Sequence, residues 1–437
     1  MIGRMVWHPI NGLGLLVALR GWGANEQALV AFADGTSRWV PFRDLSFDPP
    51  DEIDKVPPKP NGTCYRVKRK VIEAFRLGVV PADCVEDFTL GRERELQTLK
   101  EWLTDPEARV LQLVGPYGSG KSHLLDYMYW YALKNGFAVA RVELDPQEAP
   151  LYKPKRIYSR LARSFRFPQK NRLGDLRDFL TLPPVKLQFA HHMYFRALYE
   201  YEDSYSANIP WEWILGAEGL LRPFTWKYRN EYFICQTCNN VPALYETSTA
   251  LNVYSYLLSS LGWAAKQCLG LHGLVCLFDE AETMAVASHR DQVEKGARTL
   301  SALICAAHDG KAPYKFWSNG LYRGPYTIDV PFLYDTSSGL KLLLAFPERC
   351  QSHKLLQLQP CLSLSQLSES ALQCLLGKII ACYREVYAFP DGQLPENLIF
   401  HRIYASHRPL RLFVKGAVEA LDLLRHYPHR DPEQLLR

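Results

Sequence analysis

The chain has 437 residues, with 51 Lys and Arg against 46 Asp and Glu, 47% hydrophobic and 22% charged, which excludes disorder as the dominant state and leaves room for two or three domains. The formal net charge of +5 does not by itself identify a nucleic-acid partner, because phosphate binding follows clustered rather than total charge. The longest apolar stretch, residues 13–19, falls far short of the roughly 18–20 residues that cross a bilayer, and nothing near Met1 has the regions of a leader peptide. A soluble, cytoplasmic protein with no membrane partner is expected. The eleven cysteines are odd in number and mostly set in apolar runs such as Leu274-Val275-Cys276-Leu277, which reads as reduced, buried thiols.

Residues 5–46 alternate in period two, and Asp34-Gly35 separates the extended runs 28–32 and 37–42. Asp-Gly between such runs is a strong hairpin signal, since both residues tolerate positive φ. A small all-β barrel over residues 1–46 is expected. With His8-Pro9 and the Asp34 to Trp39 hairpin it resembles the SH3/Tudor-like barrels appended to some helicases and transcription-coupled factors. Pro49, Pro50, Pro57, Pro58 and Pro60 then exclude a helix interior or central strand, making 47–63 a semi-rigid linker. The run Tyr65-Arg66-Val67-Lys68-Arg69-Lys70 follows. It suits phosphate-backbone contacts, and equally a solvated helix start.

From there the pattern becomes that of a mostly parallel α/β sheet. Runs 110–114, 137–144, 274–278 and 340–346 read as strands buried on both faces, with a fifth at 355–358. Roughly 130 residues separate the second and third runs, far more than one crossover needs, so a helical insertion is expected at about 145–270. The division is a P-loop ATPase domain over 64–360 and a C-terminal helical lid over 361–437.

Residues 110–114 run into Gly115-Pro116-Tyr117-Gly118-Ser119-Gly120-Lys121-Ser122, followed by His123 and an amphipathic segment. This is G-x-x-x-x-G-K-S between strand and helix, the setting in which it binds nucleotide phosphates. Backbone N–H groups close around phosphate oxygens, Lys121 reaches the β- and γ-phosphates, and the Ser122 hydroxyl ligates Mg²⁺. Asp279, ending the third run, would hold Mg²⁺ through water, and Glu280 would polarise the attacking water, with Glu282 as a rival. The strand beside the phosphate loop is expected to end in a polar residue that senses the γ-phosphate. Run 340–346 ends instead in Phe346, which points to slow turnover. Arg408 or Arg411 suits the cation a helical lid brings to the nucleotide, or a solvated helix start. Cys235-Gln236-Thr237-Cys238 is half a zinc ribbon, for which His191 and His192 are the available partners.

Together these motifs resemble the AAA+-like ATPases of bacterial BREX-type phage-defence systems, and more distantly the origin-recognition and Cdc6 class. The resemblance rests on residues 71–81 (V-I-E-A-F-R-L-G-V-V-P), Gly91-Arg92-Glu93-Arg94-Glu95, the phosphate loop, Asp279-Glu280-Ala281-Glu282, Leu358-Gln359-Pro360 and Arg408-Pro409-x-Arg411, and covers about residues 65–425. It implies that Gly91 and Arg92 lie near the adenine. It also implies an ATP- and Mg²⁺-dependent switch acting on DNA or a DNA-bound defence complex with other proteins of the system, assembling into a homo-oligomer on ATP binding. A signalling scaffold that binds nucleotide to set its oligomeric state, without nucleic acid, is the alternative.

Overall fold

A β-strand buried on both faces is apolar at most positions, whereas a strand with one wet face alternates, and the chain contains both kinds. In the computed structural model the described residues are 5–8, 12–20, 27–32, 36–45, 62–170, 172–200, 208–216, 247–280, 290–311, 331–347, 360–387, 394–405 and 409–436. They divide into two units, Met1–Arg69 and Lys70–Arg437.

The first unit carries the alternating kind. β1 (Met5–His8), β2 (Gly12–Arg20), β3 (Gln27–Phe32) and β4 (Ser37–Pro41) pair antiparallel in sequence order. Leu16, Ala28, Val30 and Val40 form the buried side. Ala31 stands opposite Ser37, so the two expected hairpin strands do pair, while Asp34 and Gly35 lie outside the described residues. Arg20 donates to Gln27 and lies 4.1 Å from the Trp39 ring centre. α1 (Gly62–Arg76) spans the boundary between the units, and the basic run is on this helix.

The second unit is built on a five-stranded parallel sheet. After α2 (Glu93–Thr104) come β5 (Val110–Val114), α3 (Lys121–Lys134) and β6 (Ala138–Glu143). Then follow α4 (Pro154–Ser164), the short pair β7 (Phe167–Pro168) and β8 (Leu173–Gly174), and helices α5 (Leu176–Thr181), α6 (Pro183–Phe189), α7 (Arg196–Glu200), α8 (Asn208–Ile214) and α9 (Thr247–Leu269). β9 (Leu274–Asp279), α10 (Arg290–Ala307), β10 (Leu340–Phe346) and β11 (Cys361–Ser363) complete the layer. The strand order is β11-β5-β10-β9-β6. The fifth strand is therefore β11; the run at 355–358, expected to fill that place, lies outside the described residues.

Alternate side chains serve opposite faces of this sheet. Leu111, Leu113, Val275, Leu277, Leu343 and Ala345 join one core with α2 and α3, including Leu99, Leu124 and Met128. Val110, Leu274, Cys276, Phe278, Leu342 and Phe346 join the other core with α4, α9 and α10, including Leu161, Leu257 and Ile304. The chain is thus an α/β P-loop fold with a helix layer on each face.

Helix α9, at the end of the expected insertion, is a layer helix packed on α4, β9 and β10. His192, considered for zinc, is enclosed there. Its Nε2 is 2.8 Å from Ser260 Oγ, and its Nδ1 accepts from the N–H groups of Tyr194 and Phe195. Both ring nitrogens are taken, so His192 is not a zinc ligand in this fold. Cys235 and Cys238 lie outside the described residues, and Cys84, Cys268, Cys276, Cys305, Cys361, Cys374 and Cys382 are free.

The C-terminal helices are α11 (Glu369–Val386), α12 (Glu396–Tyr404), α13 (Leu410–His426) and α14 (Pro432–Leu435). α11 and α13 pack together. Arg76, in the last turn of α1, grips Asp422 of α13 with two donors at 2.9 and 2.8 Å, and Tyr383 of α11 donates to the same carboxylate at 2.6 Å. Among the described residues no helix is long and apolar enough to cross a membrane.

Candidate functional site

The phosphate loop joins β5 to α3, and its backbone explains its glycines. Gly120 has φ +97° and Gly118 φ +75°, a region where other residues are strained. A Cβ on Gly118 would also stand 2.5 Å from Pro409 Cβ, at the start of α13. The start of α13 therefore lies against the loop. Lys121 is buried and its Nζ donates to the carbonyls of Gly115 and Pro116 at 2.9 and 3.1 Å. The Ser119 hydroxyl is buried without a hydrogen-bond partner, an orphan that suits a polar ligand at this end.

A single cleft runs from this loop to the lid. Its polar end is lined by residues 117–123, Asp126, Asp279 and Glu280. Val79, Val80, Phe88, Leu90, Leu375 and Val414 give it an apolar wall, the kind of lining that suits a planar ring. Arg411 lines the cleft, close to Gly78, while Arg408 lies outside the described residues.

Asp279 ends β9, one strand away from β5, with β10 between them. It is 3% exposed, accepts from the Glu280 N–H at 3.1 Å and pairs with Arg141 of β6 at 2.9 Å. Glu280 is exposed with φ +53°, a left-handed conformation that non-glycine residues hold at a cost, most often at functional sites. Glu282 lies outside the described residues. β10 does adjoin β5, and Phe346, opposite Val114, is fully buried in the core. An aromatic residue thus occupies the strand end where a polar sensor was expected.

The segment before α2 braces the loop. Arg92, 5% exposed, donates to the Ser119 carbonyl at 2.8 Å and pairs with Glu95 at 2.6 Å. Gly91 does not line the cleft; a Cβ there would stand 2.6 Å from Ala371 Cβ of α11. Gly115 and Pro116 likewise lie behind the cleft, contributing carbonyls to Lys121. His123 Nε2 is 2.7 Å from Thr89 Oγ1, whose own proton goes to the Val85 carbonyl. The ring must therefore donate from Nε2. Burial, with the nearby Arg92 charge, pushes the His123 pKa down to about 4, so the imidazole is neutral at pH 7.

Ser122, Asp126 and Asp279 bring a hydroxyl and two carboxylates to the polar end. Hard oxygen donors of this kind, few in number, fit Mg²⁺, which keeps several waters and takes the rest of its shell from phosphates. Asp126 was not singled out in the sequence, although its spacing of four from Ser122 puts both on one helix face. Arg141 had no sequence signal.

Residues 65–181 and 249–437 match the family described as BREX system ATP-binding protein BrxC/D. The chain belongs to this family. No curated protein matches it. In this BREX-family chain every residue lining the cleft falls within the matched stretches. The strands of the first unit and helices α6 to α8 fall outside them.

Proposed function

We propose that the chain binds and slowly hydrolyses ATP with Mg²⁺, as a switch acting on DNA or a DNA-bound complex alongside other proteins of a BREX phage-defence system in the cytoplasm. The observation that carries this reading is the convergence of Lys121, Ser122, Asp279 and Glu280 on one cleft with an apolar wall. The loop N–H groups and Lys121 bind the phosphates, Lys121 turning from the loop carbonyls toward them. Ser122 and Asp279 hold the Mg²⁺, which when bound neutralises charge on the transferred phosphoryl group. Glu280 polarises the attacking water, and the base lies against Val79, Val80 and Leu375, with Arg411 on the lid.

In this reading residues 1–46 are an SH3/Tudor-like docking barrel, 47–63 a linker, 64–360 the ATPase domain with its insertion at about 145–270, and 361–437 the lid. ATP binding drives assembly into a homo-oligomer. Phe346 favours a second reading of the output, a slowly hydrolysing signalling scaffold without nucleic acid.

Isothermal calorimetry with ATP and Mg²⁺ tests the core of the proposal. The wild type should bind, and Lys121→Ala should lose detectable binding while remaining folded, because Lys121 supplies charge to the phosphates from the first turn of α3 and is not part of the apolar core. Unchanged affinity in the variant would sink the assignment. Light scattering with and without ATP reads the assembly.

A further inference from the structure

Arg141 has a place in the site that the phosphate-loop chemistry leaves unused. Its Nη2 donates to Asp279 Oδ2 at 2.9 Å and its Nη1 to Asp126 Oδ1. Both acids line the cleft and Arg141 does not, so the guanidinium approaches them from behind. Without a cation between them, two carboxylates this close to a shared partner would repel each other. A planar fork can serve two acceptors in fixed directions, which an ammonium cannot.

The arginine is itself held at its backbone. Ser164 Oγ, at the end of α4, accepts from the Arg141 N–H at 2.8 Å and donates to the Arg141 carbonyl at 2.6 Å. Two residues away, Val139 and Arg166 exchange both backbone hydrogen bonds at 2.8 Å. On the other side Arg141 is in register with Leu277, two residues before Asp279 on β9. The cation is therefore planted on a sheet strand whose two sides are both pinned, the support that keeps a site residue in one geometry.

We propose that Arg141 is a positioning residue for the magnesium half of the site: it holds Asp279 in the orientation that serves the cation arriving with the nucleotide, and offsets the charge of Asp126 beside it. This rests on the reading of Asp279 as the magnesium carboxylate. Groups that orient metal ligands from behind typically cost 10–100-fold in metal affinity when removed.

The test is ATP affinity of the full chain, by calorimetry, in Mg²⁺ and in EDTA. In the wild type, Mg²⁺ should tighten binding. In Arg141→Gln that gain should fall about tenfold or more, with affinity in EDTA held within about twofold, since the phosphate loop is untouched. Arg141→Lys, which keeps the charge but lacks the planar fork that fixes the two carboxylates in direction, should fall between them, and it carries the same test if the Gln variant does not fold. A gain equal to that of the wild type in both variants overturns the proposal. So does an equal loss in Mg²⁺ and EDTA, the mark of a general brace. A wild type that binds ATP with no gain from Mg²⁺ fails at the earlier step, removing the magnesium role of Asp279 together with that of Arg141.

Discussion

The two ends of the cleft are made in different ways. The phosphate end is local: residues 117–123 are consecutive, Asp126 follows on α3, and Asp279 and Glu280 come from the end of one strand, β9. The base end is assembled from segments far apart in the chain, Val79 and Val80 after α1, Phe88 and Leu90 before α2, Leu375 on α11 and Val414 on α13. The first is backbone geometry and fixed charge. The second is apolar surface brought together by helix packing and by the Arg76 grip on Asp422. Groups at the phosphate end can act differently on ground and transition states, whereas apolar contacts to a non-reacting base act on both alike.

That difference predicts how substitutions divide. Glu280→Gln keeps shape but removes the charge that polarises water, so turnover should fall by roughly 10²–10⁴-fold with ATP affinity retained. Steady-state phosphate release and nucleotide binding on the same preparation check both halves. If turnover survives in Glu280→Gln and disappears in Glu282→Gln, the carboxylate has been misassigned. At the base end, Val80→Ala removes apolar contact and should weaken KM by about threefold to fivefold with kcat unchanged. A fall in kcat there would mean that the two ends are coupled through the lid.

A smaller effect separates the phosphate loop from the helical layer by pH. Burial depresses the pKa of His123, beside the phosphate loop, to about 4, and that of His192, in the helical layer, to about 3. Both lie below the ordinary value near 6.5, so the folded chain prefers the neutral ring. The stability this provides is fully present above pH 6.5 and is lost as pH falls toward the folded values. By pH 5 each imidazole should have cost about 2 kcal/mol. Urea unfolding at pH 7.5, 6 and 5 reads the sum. Saturating ATP should protect a transition that begins at the phosphate loop more than one that begins around His192.

The same contrast explains what could be read from the sequence. The phosphate loop, β5, β10 and the Asp279 strand end were legible because each is a short run whose residue types are dictated locally, by positive φ at Gly118 and Gly120 or by burial on both faces. Arg92 drew attention only through family resemblance; it lines the cleft, where it also donates to a loop carbonyl and pairs with Glu95. Arg141 could not be read at all, because its two partners lie 15 and 138 positions away, one brought to it by the parallel register of β6 and β9 and the other by the packing of α3 on β6. His192 failed as a metal candidate for the complementary reason: its partners Ser260, Tyr194 and Phe195 satisfy the ring inside a core that periodicity did not reveal.

The partner is the least constrained part of the reading, and the basic run on α1 gives it the smallest expected signal. Lys70 is already paired with both oxygens of Asp83, at 2.9 and 3.1 Å, which lessens its pull on a phosphate. Exposed pairs of this kind are worth little, so the lysine stays available at some cost. If the run faces DNA, replacing Arg66, Lys68, Arg69 and Lys70 by Glu should weaken binding alike across sequences. The slope of log K against log salt should flatten by about 0.9 for each phosphate contact removed. Because Lys70 is shared with Asp83, the change should fall short of four full contacts, and ATPase activity without DNA should not move. Removing residues 1–46 tests the rival surface, where Arg20 stacks on Trp39. Anisotropy titrations with duplex DNA at several salt concentrations distinguish the two, and a wild type with no salt-dependent retention would leave the scaffold reading in place of the DNA one.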